Sequence, residues 1–326
     1  MARSPLFEPD YKPLFSGHET FPLRYGWLKK AFDAVHSSQA ALENRSTFLS
    51  DDAIATFGVG KNMVGSIRHW ATSCGVIADD DSTDRLKTTR FGNFLFGERG
   101  VDPYLENPAS LWLLHWQLAC GEPLRGLKTT WYWVFNHFTG VTFQREDLVE
   151  GLVKLATSRG WARLSRTTVQ RDVECFVRTY ATRPAGDSGS AEDSLESALA
   201  ELGLVRGMRG HFQLVRGPKR SLSTEVFTYA LNSFWNRFSP TSKTLSFEAV
   251  AHEPGSPGRV FLLDEGDLSD RLAEIEDLTG GVFEWSETAG LKQILRARSL
   301  QESPEGSEAL ELLEGAYADS QGEGVA

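Results

Sequence analysis

Several things that would each fix a class are missing from this sequence. No apolar run approaches the roughly 20 residues needed to span a bilayer, and Met1 to Tyr11 lacks the apolar stretch of a secretory signal. The expectation is a soluble cytoplasmic protein with no membrane partner. Cysteine is scarce: Cys74, Cys120 and Cys175 lie far apart and form no CxxC pair, so reduced thiols are expected rather than a disulfide frame. The seven histidines show no close metal-ligand spacing. There is no Walker A loop, no GxGxxG after a strand, no HExxH and no GxSxG, so the common phosphate-loop, dinucleotide, zinc-protease and serine-hydrolase chemistries have no signature here.

A surplus of positive charge is missing as well. The net charge is −10, which on its face argues against nucleic acid. The distribution reverses that argument. Residues 1–180 hold 21 Lys and Arg against 20 Asp and Glu, while the remainder hold 13 against 24. The acidity belongs to the C-terminal part, and the near-neutral body can still carry local basic patches. Duplex binding by such a chain should be modest and sensitive to salt.

What is present is helical periodicity with regular punctuation. With 326 residues, 40% hydrophobic and 24% charged, the chain is long enough for more than one core. The pattern predicts an N-terminal arm and winged-helix domain over 1–105. An aromatic-rich helical segment and second helix-turn-helix follow over 106–183. A linker covers 184–194, a helical domain with small hairpins 195–298, and a largely disordered acidic tail 299–326, with a short helix possible at 309–313. The fold class expected is mainly α, with tandem winged helix-turn-helix modules and a helical C-terminal domain carrying small β-hairpins.

The first module is read from 48–96. A short helix over 52–57 meets the turn Gly58-Val59-Gly60, a second helix runs from Lys61 to about Ser73, and Gly75 stops it. Two short strands at 76–77 and 86–89 make a wing. In the second module an amphipathic helix over 146–158 is followed by one that Ser165 caps and that continues to Tyr180. Farther on, strands are predicted at 211–215, 260–263 and 282–285, and helices at 224–236, 246–252, 268–278 and 290–298.

On a helical wheel, Met63, Val64, Ile67, Trp70, Ala71 and Cys74 fall within about 120° and should face inward. The opposite face presents Lys61, Asn62, Gly65, Arg68 and His69. Glycine costs about 1 kcal/mol in a helix, but at Gly65 it would let the backbone approach a duplex. Lysine and arginine suit phosphates and guanine, and asparagine suits adenine. The other reading is a plain solvated face. The helix after Ser165 turns Thr167, Arg171 and Arg178 outward, with Arg163 near its start. Those residues could touch DNA, or Arg171, Glu174 and Arg178 could form a surface ion-pair ladder. The run Arg206–Arg220, with five basic residues and no acid, could be a phosphate-binding hairpin or a solvated loop. His18, Glu19 and Arg24 are the most reactive-looking polar group, since an imidazole and a carboxylate near a guanidinium could activate water at a phosphodiester. Asp147, Glu150, Asp172 and Glu174 could hold Mg²⁺ near DNA, or be merely solvated.

The stretch from Phe15 to Lys30, reading FSGHETFPLRYGWLKK, resembles the SspB family of bacterial DNA phosphorothioation systems. So do Gly58 to Val64, Ile67-Arg68-His69-Trp70, Arg171-Asp172-Val173, Cys175, Ser256-Pro257-Gly258 and Thr288 to Leu291. The resemblance reaches to about residue 298. It implies a DNA-nicking endonuclease that works with an ATPase and sulfur-transfer proteins to place sulfur in the DNA backbone, as part of phage defence. It also implies a divalent ion, Mg²⁺ or Mn²⁺, and carries over no catalytic residue. A homodimer would suit a reader of two half-sites. The alternative is a non-enzymatic winged-helix adaptor or regulator that recruits the modification machinery.

Overall fold

The computed structural model describes residues 4–38, 47–49, 52–80, 85–120, 128–161, 164–181, 197–288, 290–300 and 306–318. The expected linker at 184–194, Arg163, and residues 50 and 51, which the sequence offers as a cap for the helix at 52–57, lie outside them. The protein is mainly α with small antiparallel sheets, and no described helix is long and apolar enough to cross a membrane.

Helices α1 (Trp27–Ser38), α2 (Asp52–Phe57) and α3 (Lys61–Ser73) open the chain. The stripe of Val64, Ile67, Trp70 and Ala71 buries α3 as its spacing requires. Gly58 and Gly75 take φ of +65° and +70°, the left-handed values that let a short turn precede and follow the helix. Strands β1 (Ile77–Asp79) and β2 (Leu86–Thr88) form an antiparallel hairpin with Ile77 opposite Thr88. Thr89 then caps α4 (Arg90–Phe96) by accepting from the Gly92 amide.

Two helices with little polar face follow, α5 (Pro108–Cys120) and α6 (Thr129–Asn136). Nearly every side chain of α5 is buried, as the absence of a polar stripe predicts. His115 lies at its centre: Nε2 donates to the Val260 carbonyl, which leaves Nδ1 to accept from the Tyr180 hydroxyl, each at 2.8 Å. Burial pushes its pKa down to about 4, so the ring is a neutral bridge between three parts of the chain.

The second unit is β3 (Thr142–Phe143), α7 (Arg145–Arg159), α8 (Arg166–Tyr180), β4 (Val205–Met208) and β5 (His211–Leu214). Its sheet order is β3-β5-β4. The third begins with α9 (Thr224–Phe238), then runs β6 (Thr244–Ser246), α10 (Phe247–His252), α11 (Pro257–Val260), α12 (Glu265–Thr279), β7 (Phe283–Thr288) and β8 (Leu291–Arg296). Its order is β6-β8-β7. Both units therefore follow one plan: a strand, then helices, then a hairpin whose last strand pairs with the first.

Two expectations fail. Residues 260–263 form no strand: Ser256 caps a short helix with Pro257 in its first turn, and the apolar run that looked like a strand ends α11 in the core. Residues 290–298 form β8 rather than a helix, because Gly290 at φ +81° turns a hairpin. The short helix expected at 309–313 is present as α13 (Glu308–Leu313), which packs on α9 and buries Ala309 and Leu313, and the 3-10 turn after it buries Tyr317. One continuous apolar core runs from Phe15 to Tyr317.

Candidate nucleic-acid interface

Two helices with exposed polar faces, α3 and α8, are joined by the loop from Ser16 to Pro22. Ser66 of α3 donates to the His18 carbonyl at 3.0 Å, and Trp70 Nε1 donates to the Phe21 carbonyl at 3.0 Å. From α8, Arg178 donates to the Thr20 carbonyl at 3.2 Å and Cys175 Sγ to the Phe21 carbonyl at 3.4 Å. The loop thus acts as a rivet between the helices.

Its centre is His18, 3% exposed, against Asp172, 2% exposed. The Thr20 amide donates to His18 Nδ1 at 3.0 Å. The ring proton therefore sits on Nε2, which donates to Asp172 Oδ1 at 2.8 Å. His69 of α3 meets His18 edge to face at 5.6 Å, and the Trp131 ring lies 6.3 Å away. Burial, Lys128 and His18 hold the His69 imidazole well below the usual histidine range. Lys128 is itself buried, and its pKa falls to about 8 by loss of solvent, with Asp172 acting the other way.

The arrangement is strained in two ways. Gly17, Glu19 and Thr20 have φ of +106°, +47° and +65°, and positive φ at the two non-glycine positions costs about 1–3 kcal/mol each. Asp172 Oδ2, His69 Nε2 and Trp131 Nε1 are buried without a hydrogen-bond partner among the described residues, at about 1–3 kcal/mol apiece. Strain of this kind persists where surrounding packing over-determines it, and it concentrates at functional sites.

The expected trio of His18, Glu19 and Arg24 does not assemble. His18 turns inward with both ring nitrogens engaged, Glu19 is exposed, and Arg24 stacks over Phe21 and Trp27. The positive φ at Glu19 sends its side chain away from the imidazole. The carboxylates considered for Mg²⁺ are also dispersed. Asp147 accepts from the Gln144 amide, Asp172 is held by His18, Glu174 pairs with Arg145 of α7, and Glu150 is exposed. Among the described residues, no three His, Cys, Asp or Glu side chains converge as a metal centre.

On α3, Lys61, Asn62 and Gly65 are exposed, Arg68 is half-buried, and His69 points inward to His18. A methyl group added at Gly65 would meet nothing within 4 Å, so the backbone there is open to approach. On α8, Ser165 caps the helix while Thr167 and Arg171 stand exposed. The ladder of Arg171, Glu174 and Arg178 gives way to Glu174–Arg145 and Arg178–Thr20 contacts. The basic run splits by side. Arg206, Arg209 and Arg220 face solvent on or near the β4–β5 hairpin, whereas Lys219 turns in to the Val215 and Gly217 carbonyls. Sequence reasoning missed the roles of Asp172, Lys128 and Ser66, which nothing in local spacing signals.

A family model described as a protein of unknown function, DUF4007, matches residues 15–317. The chain belongs to the DUF4007 family. This DUF4007 protein is also similar to two solved structures of SspB. The magnesium-bound SspB crystal structure is 28% identical with a TM-score of 0.80, covering 96% of this chain and 90% of that one. A second SspB crystal structure is 28% identical at 0.79, covering 95% and 88%. The resemblance to SspB read from the loop motif thus holds over nearly the whole chain. No curated protein sequence matches it.

Proposed function

We propose that this protein is the duplex-binding component of a DNA phosphorothioation system and that it nicks one strand so that sulfur-transfer partners can act. The observation that carries the reading is the near-full-length likeness to SspB at a TM-score of 0.80. The local geometry supports it. The helix pair and hairpin of the first unit, and the repeated strand order of the second, suit winged helices. In this reading Lys61, Asn62, Gly65 and Arg68 on α3, with Thr167, Arg171 and Arg178 on α8, face the duplex, and the riveted loop fixes the two helices relative to each other. Arginines on both helices would neutralise backbone charge.

The magnesium-bound SspB makes Mg²⁺ the ion to supply. The described side chains provide no three-donor cluster for it, so no hydrolytic step is assigned to particular residues. That same arrangement, with His18 wholly engaged, favours a second reading: an adaptor that binds duplex and recruits the machinery without cutting. Relaxation of supercoiled plasmid with Mg²⁺, run beside a gel shift, separates the two. Nicked product that Arg68→Ala and Arg171→Ala abolish is the expected result. Duplex retention with no nicked product from clean protein leaves the adaptor alone.

A further inference from the structure

A cleft of about 430 Å³ opens where the second and third units meet, between the end of α6, the residues after β5, and α11. Two arginines reach into it from different units. Arg216 donates to the Gly258 and Leu263 carbonyls at 3.3 and 2.7 Å. Arg259 donates to the Asn136 and Phe138 carbonyls at 2.7 and 3.4 Å. These bonds fix both guanidiniums without neutralising either. Among the described residues neither arginine is paired with a carboxylate.

Two acids also line the cleft. Asp264 caps α12 by accepting from the Asp267 amide at 2.8 Å, and Glu265 lies 3.5 Å from His252. The buried Nε of Arg259 has no partner. Burial depresses both guanidinium pKa values, and Arg216 adds to the effect on Arg259. Asp264 offsets part of the Arg216 charge, while Arg216 works against the charge on Arg259, and an anion received by both guanidiniums would gain charge-assisted hydrogen bonds. Phe138 and Val141 add an apolar wall, and the volume lies within the range of small-ligand sites.

We propose that this cleft binds a phosphate-bearing ligand of mononucleotide size, with the phosphate between Arg216 and Arg259 and the apolar part against Phe138. The inference does not rest on the duplex-binding reading.

The test is calorimetric titration of the full chain with deoxyadenosine 5′-monophosphate, deoxyadenosine and inorganic phosphate. The nucleotide should bind at least about 10-fold more tightly than the nucleoside, the loss of charge-assisted hydrogen bonds accounting for the difference. Inorganic phosphate should compete but bind more weakly. Arg216→Ala should lose about 10-fold in nucleotide affinity, Arg216→Lys should recover part of it, and Arg220→Ala, outside the cleft, should change nothing. Equal binding of nucleotide and nucleoside overturns the proposal. So does full nucleotide affinity in an Arg216→Ala protein whose thermal midpoint is unchanged, or binding by phosphate alone as tight as by the nucleotide. None of these results bears on plasmid nicking.

Discussion

Removing the Asp172 carboxylate tests the rivet directly. In Asp172→Ala, the His18 Nε2 proton loses its 2.8 Å acceptor and Lys128 loses the charge that offsets its burial. Both groups are buried, and leaving a buried donor without its acceptor costs about 1–3 kcal/mol. For a chain of 326 residues, that lowers Tm by about 1.5–4 °C. The damage should be local as well as global. Hydrogen exchange should lose protection at the Thr20 and Phe21 amides, which donate to His18 Nδ1 and to the His18 carbonyl. A double-mutant cycle with His18→Ala should return a coupling of about 1.5–3 kcal/mol, the range for a hydrogen bond to a charged group. Duplex affinity should fall further than in Val250→Ala, a core truncation in α10. An Asp172→Ala protein with an unchanged midpoint, or one with additive His18 and Asp172 effects, refutes the reasoning.

Gly65→Ala should raise thermal stability by up to about 1 kcal/mol, because the added methyl meets nothing in the fold, yet it should weaken gel-shift affinity if the duplex approaches there. Gly17→Ala should destabilise instead, since φ is +106° and the new Cβ would collide with His69 Nδ1; the thermal midpoint reports it. Lys128 has a folded pKa near 8 against an ordinary 10.5. The unfolded chain therefore binds more protons between those values, and stability contributed through Lys128 rises with pH from about 8 upward. Thermal melts at pH 7.5 and 8.5 should show this rise reduced in Lys128→Met; above about pH 9 the buried thiols, whose pKa values are raised, act in the opposite direction. Ending the chain at Arg298 should cost several kcal/mol, because Leu313 and Tyr317 each bury a large side chain at about 1.5–3 kcal/mol.

Helices α3, α7 and α8 were legible because their apolar spacing is regular and glycine or serine marks their ends. The β1–β2 hairpin was legible for the same reason. Where the sequence is apolar without periodicity, as at Val260–Leu263, length and pattern do not separate a strand from a buried helical turn. The β8 strand was obscured because Leu291 and Lys292 are both exposed, which blurs the alternation. At the candidate site, the exposed faces of α3 and α8 followed from helical wheels. The His18–Asp172 contact did not, since it joins positions 154 residues apart and no local rule specifies such a pair. Proximity in sequence suggested Glu19 as the partner of His18, and the backbone turn between them excludes it.

Tyr317 donates its hydroxyl to Ser110 at 2.9 Å, Ser110 in turn donates to Asp102 at 2.6 Å, and the Ala316 carbonyl accepts from Asn107. This late segment thus closes a site formed by the first third of the chain. During synthesis, that site stays open until residue 317 has left the ribosome. Every earlier intermediate exposes the surface of α9 that α13 will cover and leaves Ser110 of α5 without Tyr317. A tag or fusion placed directly after Tyr317 would act on assembly of the core rather than on a spare end.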